Sequence, residues 1–285
     1  MEKTFGVIGG DSRQRFLAEL LLRDGKKVLT WGVEEGEAIQ NTGLEKALSA
    51  QVVILPLPVL SGGVLNAPFA RREVRVPELL DSFEPGQILC AGQIPESIHQ
   101  AAQRRGLFLQ DYFAREELTV GNAVATVEGA LQVAMERLPV TLHGCRALVM
   151  GFGRIGKLLA HRLRGLGAEV TVAARKCSDL SWSRAYGYEA VSLKKLPQRL
   201  GEFRLLFNTV PSLLLDEEKL RLLSGDCLCV DLASAPGGVD FEAARQLGLE
   251  SVWARSLPGK VAPETAGSII RDTVYRILEE RGESV

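Results

Sequence analysis

The stretch Arg146-Ala-Leu-Val-Met150, Gly151-Phe-Gly153-Arg-Ile-Gly156, Lys157-Leu-Leu-Ala160 decides the fold. A short apolar run ends in GxGxxG and passes directly into a helical period. In that context Gly151 allows the tight turn, Gly153 lets a pyrophosphate approach the backbone, and Gly156 lets the helix pack on its sheet. Phosphates at such a turn meet the free N–H groups and the positive end of the helix dipole. Arg154 and Ile155 complete the loop as candidate cofactor contacts. The next predicted strand, Glu169–Ala174, ends in Arg175-Lys176-Cys177-Ser178, with no acid at its tip. An NAD site places Asp or Glu there, about 20 residues on, against the ribose 2′-hydroxyl, whereas an arginine suits a 2′-phosphate. The expectation is a dinucleotide site that prefers NADP through Arg175, helped by Lys176 or Ser178, with NAD possible. The competing reading is a glycine turn that merely joins strand to helix.

Working outward, short Val-, Ile- and Leu-rich runs alternate with helical periods on both sides of this turn. Strands are predicted at Thr4–Ile8, Lys27–Trp31, Val52–Leu57, Gln87–Ala91 and Leu107–Gln110, with helices at Arg13–Arg23, Val76–Phe83 and Pro95–Arg105. Beyond the turn, strands are predicted at Tyr188–Val191, Leu205–Thr209, Cys227–Leu232 and Ser251–Ala254. Such runs read as buried parallel sheets. A long helix is predicted from Asn122 to Arg137, stopped by Pro139, and another over Glu264–Glu280. The predicted fold is α/β, with two Rossmann-like parallel-sheet domains flanking a cleft and joined by the long helix. Residues 1–121 with 264–285 would form the substrate domain, 122–139 the interdomain helix and 140–263 the dinucleotide-binding domain.

The length of 285 residues fits two domains at roughly 100–200 residues each. A hydrophobic content of 46% supplies the cores, and a net charge of −1 gives no bulk attraction to nucleic acid or membrane. The chain opens on a strand, Met1-Glu-Lys-Thr-Phe-Gly-Val-Ile, and holds no run of about 18 apolar residues. Five cysteines at irregular spacing and three scattered histidines offer no recognised zinc pattern. Cys227-Leu-Cys229 points both thiols to one face of a predicted strand. A cytoplasmic location and no metal are expected.

Ligands of open parallel sheets bind at the carboxyl ends of strands, so the loops there hold the candidates. Strand one ends Gly9-Gly10-Asp11-Ser12-Arg13-Gln14. Its glycines permit close backbone approach, Asp11 or Ser12 can cap the helix, and Arg13 is a planar cation suited to a carboxylate. Ser61-Gly62-Gly63 reads as an anion-binding loop or a plain turn. Thr209, Val210 and Pro211, in Asn208–Ser212, and Ala233, in Asp231–Gly238, are candidate cofactor contacts. Lys260 lies in a predicted loop, Leu257–Gly267. Glu128 is the best-placed acid on the long helix. His99, His143 and His161 are isolated. Arg13, Asp11, Lys260 and Glu128 make up the candidate catalytic set.

Taken together, Gly-Gly-Asp-Ser-Arg-Gln (9–14), Asn-Ala-Val-Ala-Thr-Val-Glu-Gly (122–129), the turn at 151–156, Asn-Thr-Val-Pro-Ser (208–212), Asp-Leu-Ala-Ser-Ala-Pro-Gly-Gly (231–238) and Leu-Pro-Gly-Lys-Val-Ala-Pro-Glu-Thr-Ala-Gly (257–267) resemble the dipicolinate synthase A subunits of spore-forming bacteria. The resemblance runs nearly full length and in order. It implies oxidation of a dihydropyridine-2,6-dicarboxylate to dipicolinate, in the mother cell during sporulation, with the synthase's B subunit for a partner. It also implies kinship with the dehydrogenases that split a catalytic domain around a cofactor domain. A homo-oligomer is expected. Two other readings stay open: a non-catalytic dinucleotide-binding scaffold or sensor, and a dehydrogenase of another small 2-hydroxy or 2-amino acid.

Overall fold

The computed structural model describes residues 3–283. Met1 and Glu2, which open the first predicted strand, and Ser284 and Val285, at the end of the predicted substrate domain, lie outside the described residues. The chain forms two compact units, Met1–Asn122 with Pro258–Val285, and Ala123–Leu257.

The first unit begins β1 (Thr4–Ile8), α1 (Ser12–Arg23), β2 (Lys27–Trp31), α2 (Leu44–Leu48) and β3 (Val52–Ile54). A hairpin of β4 (Leu60–Ser61) and β5 (Val64–Leu65) follows, then α3 (Val76–Leu80), β6 (Ile88–Ala91), α4 (Glu96–Arg104) and β7 (Phe108–Asp111). Five strands pair in parallel in the order β2-β1-β3-β6-β7. Alternation along them loads both faces. Phe5, Val7, Val52, Ile54, Ile88 and Cys90 pack under α1, while Ile8, Val53, Leu89 and Leu109 pack under α2, α3 and α4. Helices on both faces are what allow an all-parallel sheet to be apolar throughout.

A long helix, α5 (Glu116–Arg137), leads to the second unit. There β8 (Arg146–Met150), α6 (Arg154–Gly165), β9 (Glu169–Ala174), α7 (Cys177–Ala185) and β10 (Glu189–Ser192) are followed by β11 (Leu205–Asn208), α8 (Glu217–Leu220), β12 (Leu228–Asp231), α9 (Phe241–Gln246) and β13 (Ser251–Trp253). All six strands are parallel, in the order β10-β9-β8-β11-β12-β13. Cys227 and Cys229 are both buried there, and their mutual hydrogen bond together with burial pushes the Cys227 thiol well up. The chain ends with α10 (Leu257–Val261) and α11 (Pro263–Glu280). Helix α11 lies on α1 so closely that a Cβ at Gly267 would come within 2.8 Å of the Arg13 carbonyl oxygen.

Several elements differ from the sequence-based expectation. The strand predicted over Val52–Leu57 stops at Ile54, because Pro56 and Pro58 have no N–H to give a neighbouring strand. Helix α5 starts at Glu116, not Asn122, where Glu116 and Glu117 suit the positive end of its dipole. The predicted loop Leu257–Gly267 is helical on both sides of Ala262, with Pro263 at the first position of α11, where its missing N–H costs nothing. Ser61-Gly62-Gly63 belongs to the turn of the β4–β5 hairpin, with both glycines at positive φ, the geometry of a two-residue turn. Among the described residues, no helix is long and apolar enough to cross a membrane.

Candidate functional site

In the second unit the strand order reverses between β8 and β11, so the crevice for a ligand opens where those two strands end. The three glycines of the first turn do different things there. Gly151 has φ +94°, and a Cβ on it would overlap the Thr209 hydroxyl. A Cβ on Gly156 would overlap the Gly151 carbonyl. Both are filled by the chain itself. Around Gly153, the N-cap of α6, no atom beyond its own chain neighbours lies within 4 Å of the Cβ position. That opening, beside the free N–H groups of a helix start, is the cradle a pyrophosphate needs. Arg154 and Ile155 begin the helix.

Thr209 closes the crevice by bonding Met150 twice, with N–H and hydroxyl both donating to the Met150 carbonyl at 2.9 and 2.8 Å. Val210 beside it is half-buried and Pro211 exposed. Their loop is held by a pair that residue patterns did not reveal. Asn208 and Asp231, both fully buried, stand opposite each other in the β11–β12 register. Asn208 Nδ2 donates to Asp231 Oδ1 at 2.8 Å and to the Val210 carbonyl at 3.0 Å, while Val210 N–H donates back to Asn208 Oδ1. Asp231 also accepts from the N–H groups of Ala233, at 3.0 Å, and Gly238, at 2.7 Å. A polar residue ending each of two adjacent apolar runs is the signal that could have found the pair. Ala233 is buried, and its carbonyl accepts from Trp253 Nε1 at 2.9 Å.

Past the tip of β9, Arg175, Lys176 and Ser178 are all exposed where α7 begins. The side chains of Arg175 and Lys176 have no hydrogen-bond or ion-pair partner among the described residues.

The first unit has its own reversal, between β1 and β3. Its glycines are already occupied. A Cβ on Gly9 would press on the Asn66 carbonyl at 2.8 Å, and one on Gly10 would overlap the Gln14 side chain. The loop after β1 therefore packs on its own chain. What stands at this edge is charge. Asp11 caps α1 by accepting from Arg13 N–H at 3.1 Å. Arg13, only 7% exposed, donates from Nε to Asp11 Oδ1 and from Nη2 to Asp11 Oδ2, each at 2.8 Å. Nη2 donates again to the Leu57 carbonyl at 2.5 Å. Gly259 lies against this pair, so that a Cβ there would be 2.7 Å from Asp11 Oδ2. Its neighbour Lys260 is exposed, on α10 rather than on the predicted loop.

Arg13, Asp11 and Lys260 thus gather at one edge of the first unit. Glu128 is exposed in the middle of α5, with no ion-pair partner among the described residues. His99 sits on α4 and His161 well inside α6, while His143 precedes β8, so no histidine stands at a strand's carboxyl end.

Comparison with known proteins bears on both units. Residues 4–113 match the family model of the N-terminal domain of the dipicolinate synthase A subunit. Residues 119–223 match that of the NAD-binding domain of D-isomer specific 2-hydroxyacid dehydrogenases. The dipicolinate synthase A subunit of Bacillus subtilis is 29% identical over 282 residues, covering 96% of this chain and 95% of that one. The crystal structure of that B. subtilis protein superposes with a TM-score of 0.85 at 28% identity, covering 98% of this chain and 97% of that one. The crystal structure of its counterpart from Bacillus halodurans gives 0.86 at 26% identity, covering 97% of each.

Proposed function

We propose that this chain, which resembles the dipicolinate synthase A subunit from end to end, oxidises a dihydropyridine-2,6-dicarboxylate to dipicolinate with NADP⁺. The observation that carries the reading is the contrast between its two strand reversals: an open glycine cradle in one unit and a buried arginine held for an anion in the other.

The residues fit a dinucleotide. The space at Gly153 and the start of α6 would take the pyrophosphate, Arg175 with Lys176 or Ser178 the 2′-phosphate, and Thr209, Val210, Pro211 and Ala233 the nicotinamide side. When bound, the nicotinamide would accept a hydride. The protein's remaining tasks are to bind, orient and deprotonate. Arg13 and Lys260 supply positive charge for a small dianion. Aromatisation favours the product, so orientation and a modest base suffice, and no histidine relay is required. A 2-hydroxy-acid substrate would call for a base at the hydroxyl, commonly histidine, and none stands at a strand end here. Partnership with a B subunit, action in the mother cell cytoplasm during sporulation, and self-association all belong to this reading.

The test is an assay of the purified chain with freshly generated dihydrodipicolinate and NADP⁺ or NAD⁺, alone and with a B subunit. Reduced nicotinamide and dipicolinate should appear together. Cofactor binding without turnover under every condition would favour the scaffold reading, and turnover only of a 2-hydroxy or 2-amino acid would favour another dehydrogenase.

A further inference from the structure

We propose that Asp11 is a positioning residue: with the Leu57 carbonyl it holds Arg13 so that the third guanidinium nitrogen, Nη1, is presented to a substrate carboxylate. The inference rests on the reading of this edge as the dicarboxylate site.

A guanidinium has five N–H groups in a fixed plane. Three are taken within the chain: Nε by Asp11 Oδ1, and the two on Nη2 by Asp11 Oδ2 and the Leu57 carbonyl. The two on Nη1 have no partner among the described residues. Nη1 is also absent from the enclosed, unpaired polar atoms, so it reaches solvent although the residue as a whole is buried. A bidentate carboxylate fixes the plane of the guanidinium, and the carbonyl fixes its rotation within the pair.

The carbonyl is itself held. Val59 N–H donates to the Gly92 carbonyl at 2.8 Å, Gly92 N–H to the Pro56 carbonyl at 3.1 Å, and Asn66 Nδ2 to the Pro58 carbonyl at 3.1 Å. The buried Tyr112 hydroxyl and Gln14 both donate to the Leu55 carbonyl. Gly259 is the other wall: any side chain there would push on Asp11 Oδ2 and on Arg13 Nε, 2.7 and 3.1 Å from its Cβ position. Both oxygens of Asp11 are committed to Arg13. Such support from neighbouring residues is what keeps a binding group within a fraction of an ångström of its working position.

The test uses the full chain and dipicolinate itself as the probe, with affinity read by calorimetry and KM and kcat read with dihydrodipicolinate. Asp11→Asn keeps an oxygen to cap α1 but offers an amide where Arg13 needs an acceptor. It should weaken dipicolinate binding and raise KM roughly tenfold, with kcat, cofactor affinity and Tm near wild type. Arg13→Lys should do the same, and the double variant should be no worse than either single one. Gly259→Ala, with Asp11 intact, should also weaken the probe, which keeps the test open if Asp11→Asn does not fold.

Arg13→Ala weakening the probe while Asp11→Asn and Gly259→Ala bind like wild type would overturn the positioning role and leave the site. Tighter binding by Asp11→Asn would overturn it too, showing Asp11 as a competitor of the substrate. So would a collapse of kcat at constant KM, which would make Asp11 the base. Wild type that fails to bind dipicolinate at all would overturn the functional reading, and with it this inference.

Discussion

The two units use the glycine-bearing loop after the first strand of the same architecture for opposite ends. Each has a parallel sheet whose strand order reverses once, and each follows the first strand of that reversal at once with a glycine at positive φ, Gly9 in one and Gly151 in the other. In the second unit the loop after β8 keeps open space at Gly153. In the first unit the loop after β1 is filled by Asn66 and Gln14, and the edge is given over to the Asp11–Arg13 pair. A glycine in a strand-end loop signals that something comes close. What comes close, a ligand or the chain itself, is settled by the elements packed around it.

Substitutions at one glycine from each loop should separate the two uses most sharply. Gly153→Val meets no protein atom near its Cβ, so its Tm should stay near wild type while NADP⁺ affinity falls roughly a hundredfold or more. Gly10→Val should do the reverse: strain at φ +91° and overlap with Gln14 should cost about 1–3 kcal/mol of stability, with NADP⁺ affinity kept. Calorimetric titration and thermal unfolding of both variants would read the crossing. A Gly153→Val protein that binds NADP⁺ normally would place the dinucleotide elsewhere.

A second contrast lies between the charges of the two edges. Arg175 is exposed and unpartnered among the described residues, so Arg175→Ala should leave Tm unchanged and weaken NADP(H) binding by about 1.5–3 kcal/mol, with NAD(H) little altered. Equal wild-type affinities for the two cofactors, in parallel titrations, would remove Arg175 from the site. Arg13 is buried and paired. Arg13→Ala should raise the substrate KM roughly tenfold with NADP⁺ affinity near wild type. A fall in cofactor affinity at constant KM would assign Arg13 to the other ligand or to helix stability.

The smallest expected effect concerns pH. Burial pushes the Cys90 thiol up to about 12, and burial likewise raises the Tyr112 hydroxyl beside it at the first unit's edge. Both groups are favoured in their neutral forms by folding. The thiol's contribution to stability is therefore complete below its unfolded value near 9.0 and is lost as pH rises towards 12, while the Tyr112 contribution starts to fall only at higher pH. The Tm should hold from neutral pH to about 9 and then fall. Cys90→Ala should fall less steeply, and an identical slope in both proteins would remove the thiol from the account.

Much of this was legible from residues in order. The second sheet's core strands, the turn at 151–156, the acid-free tip at Arg175 and the capping of α1 by Asp11 each follow from a local pattern, because a strand, a turn and a cap need only neighbours in sequence. Short elements such as α2 and the β4–β5 hairpin complete too little of a period to show one. Helix α5 starts six residues before the predicted Asn122, since a helix of mixed small and apolar residues carries little amphipathic signal.

The sequence by itself determined that this is an α/β chain with a dinucleotide turn, because apolar periodicity and glycine spacing are local constraints on a backbone. Only the tertiary structure decided which glycines are open and which are filled. It also decided that Asn208 meets Asp231 across a register, and that Arg13 spends three of its five donors on Asp11 and Leu57. Those facts depend on residues 23 and 44 positions apart being brought within hydrogen-bond reach, and no local pattern specifies a distance between strands that pair only after the sheet has formed.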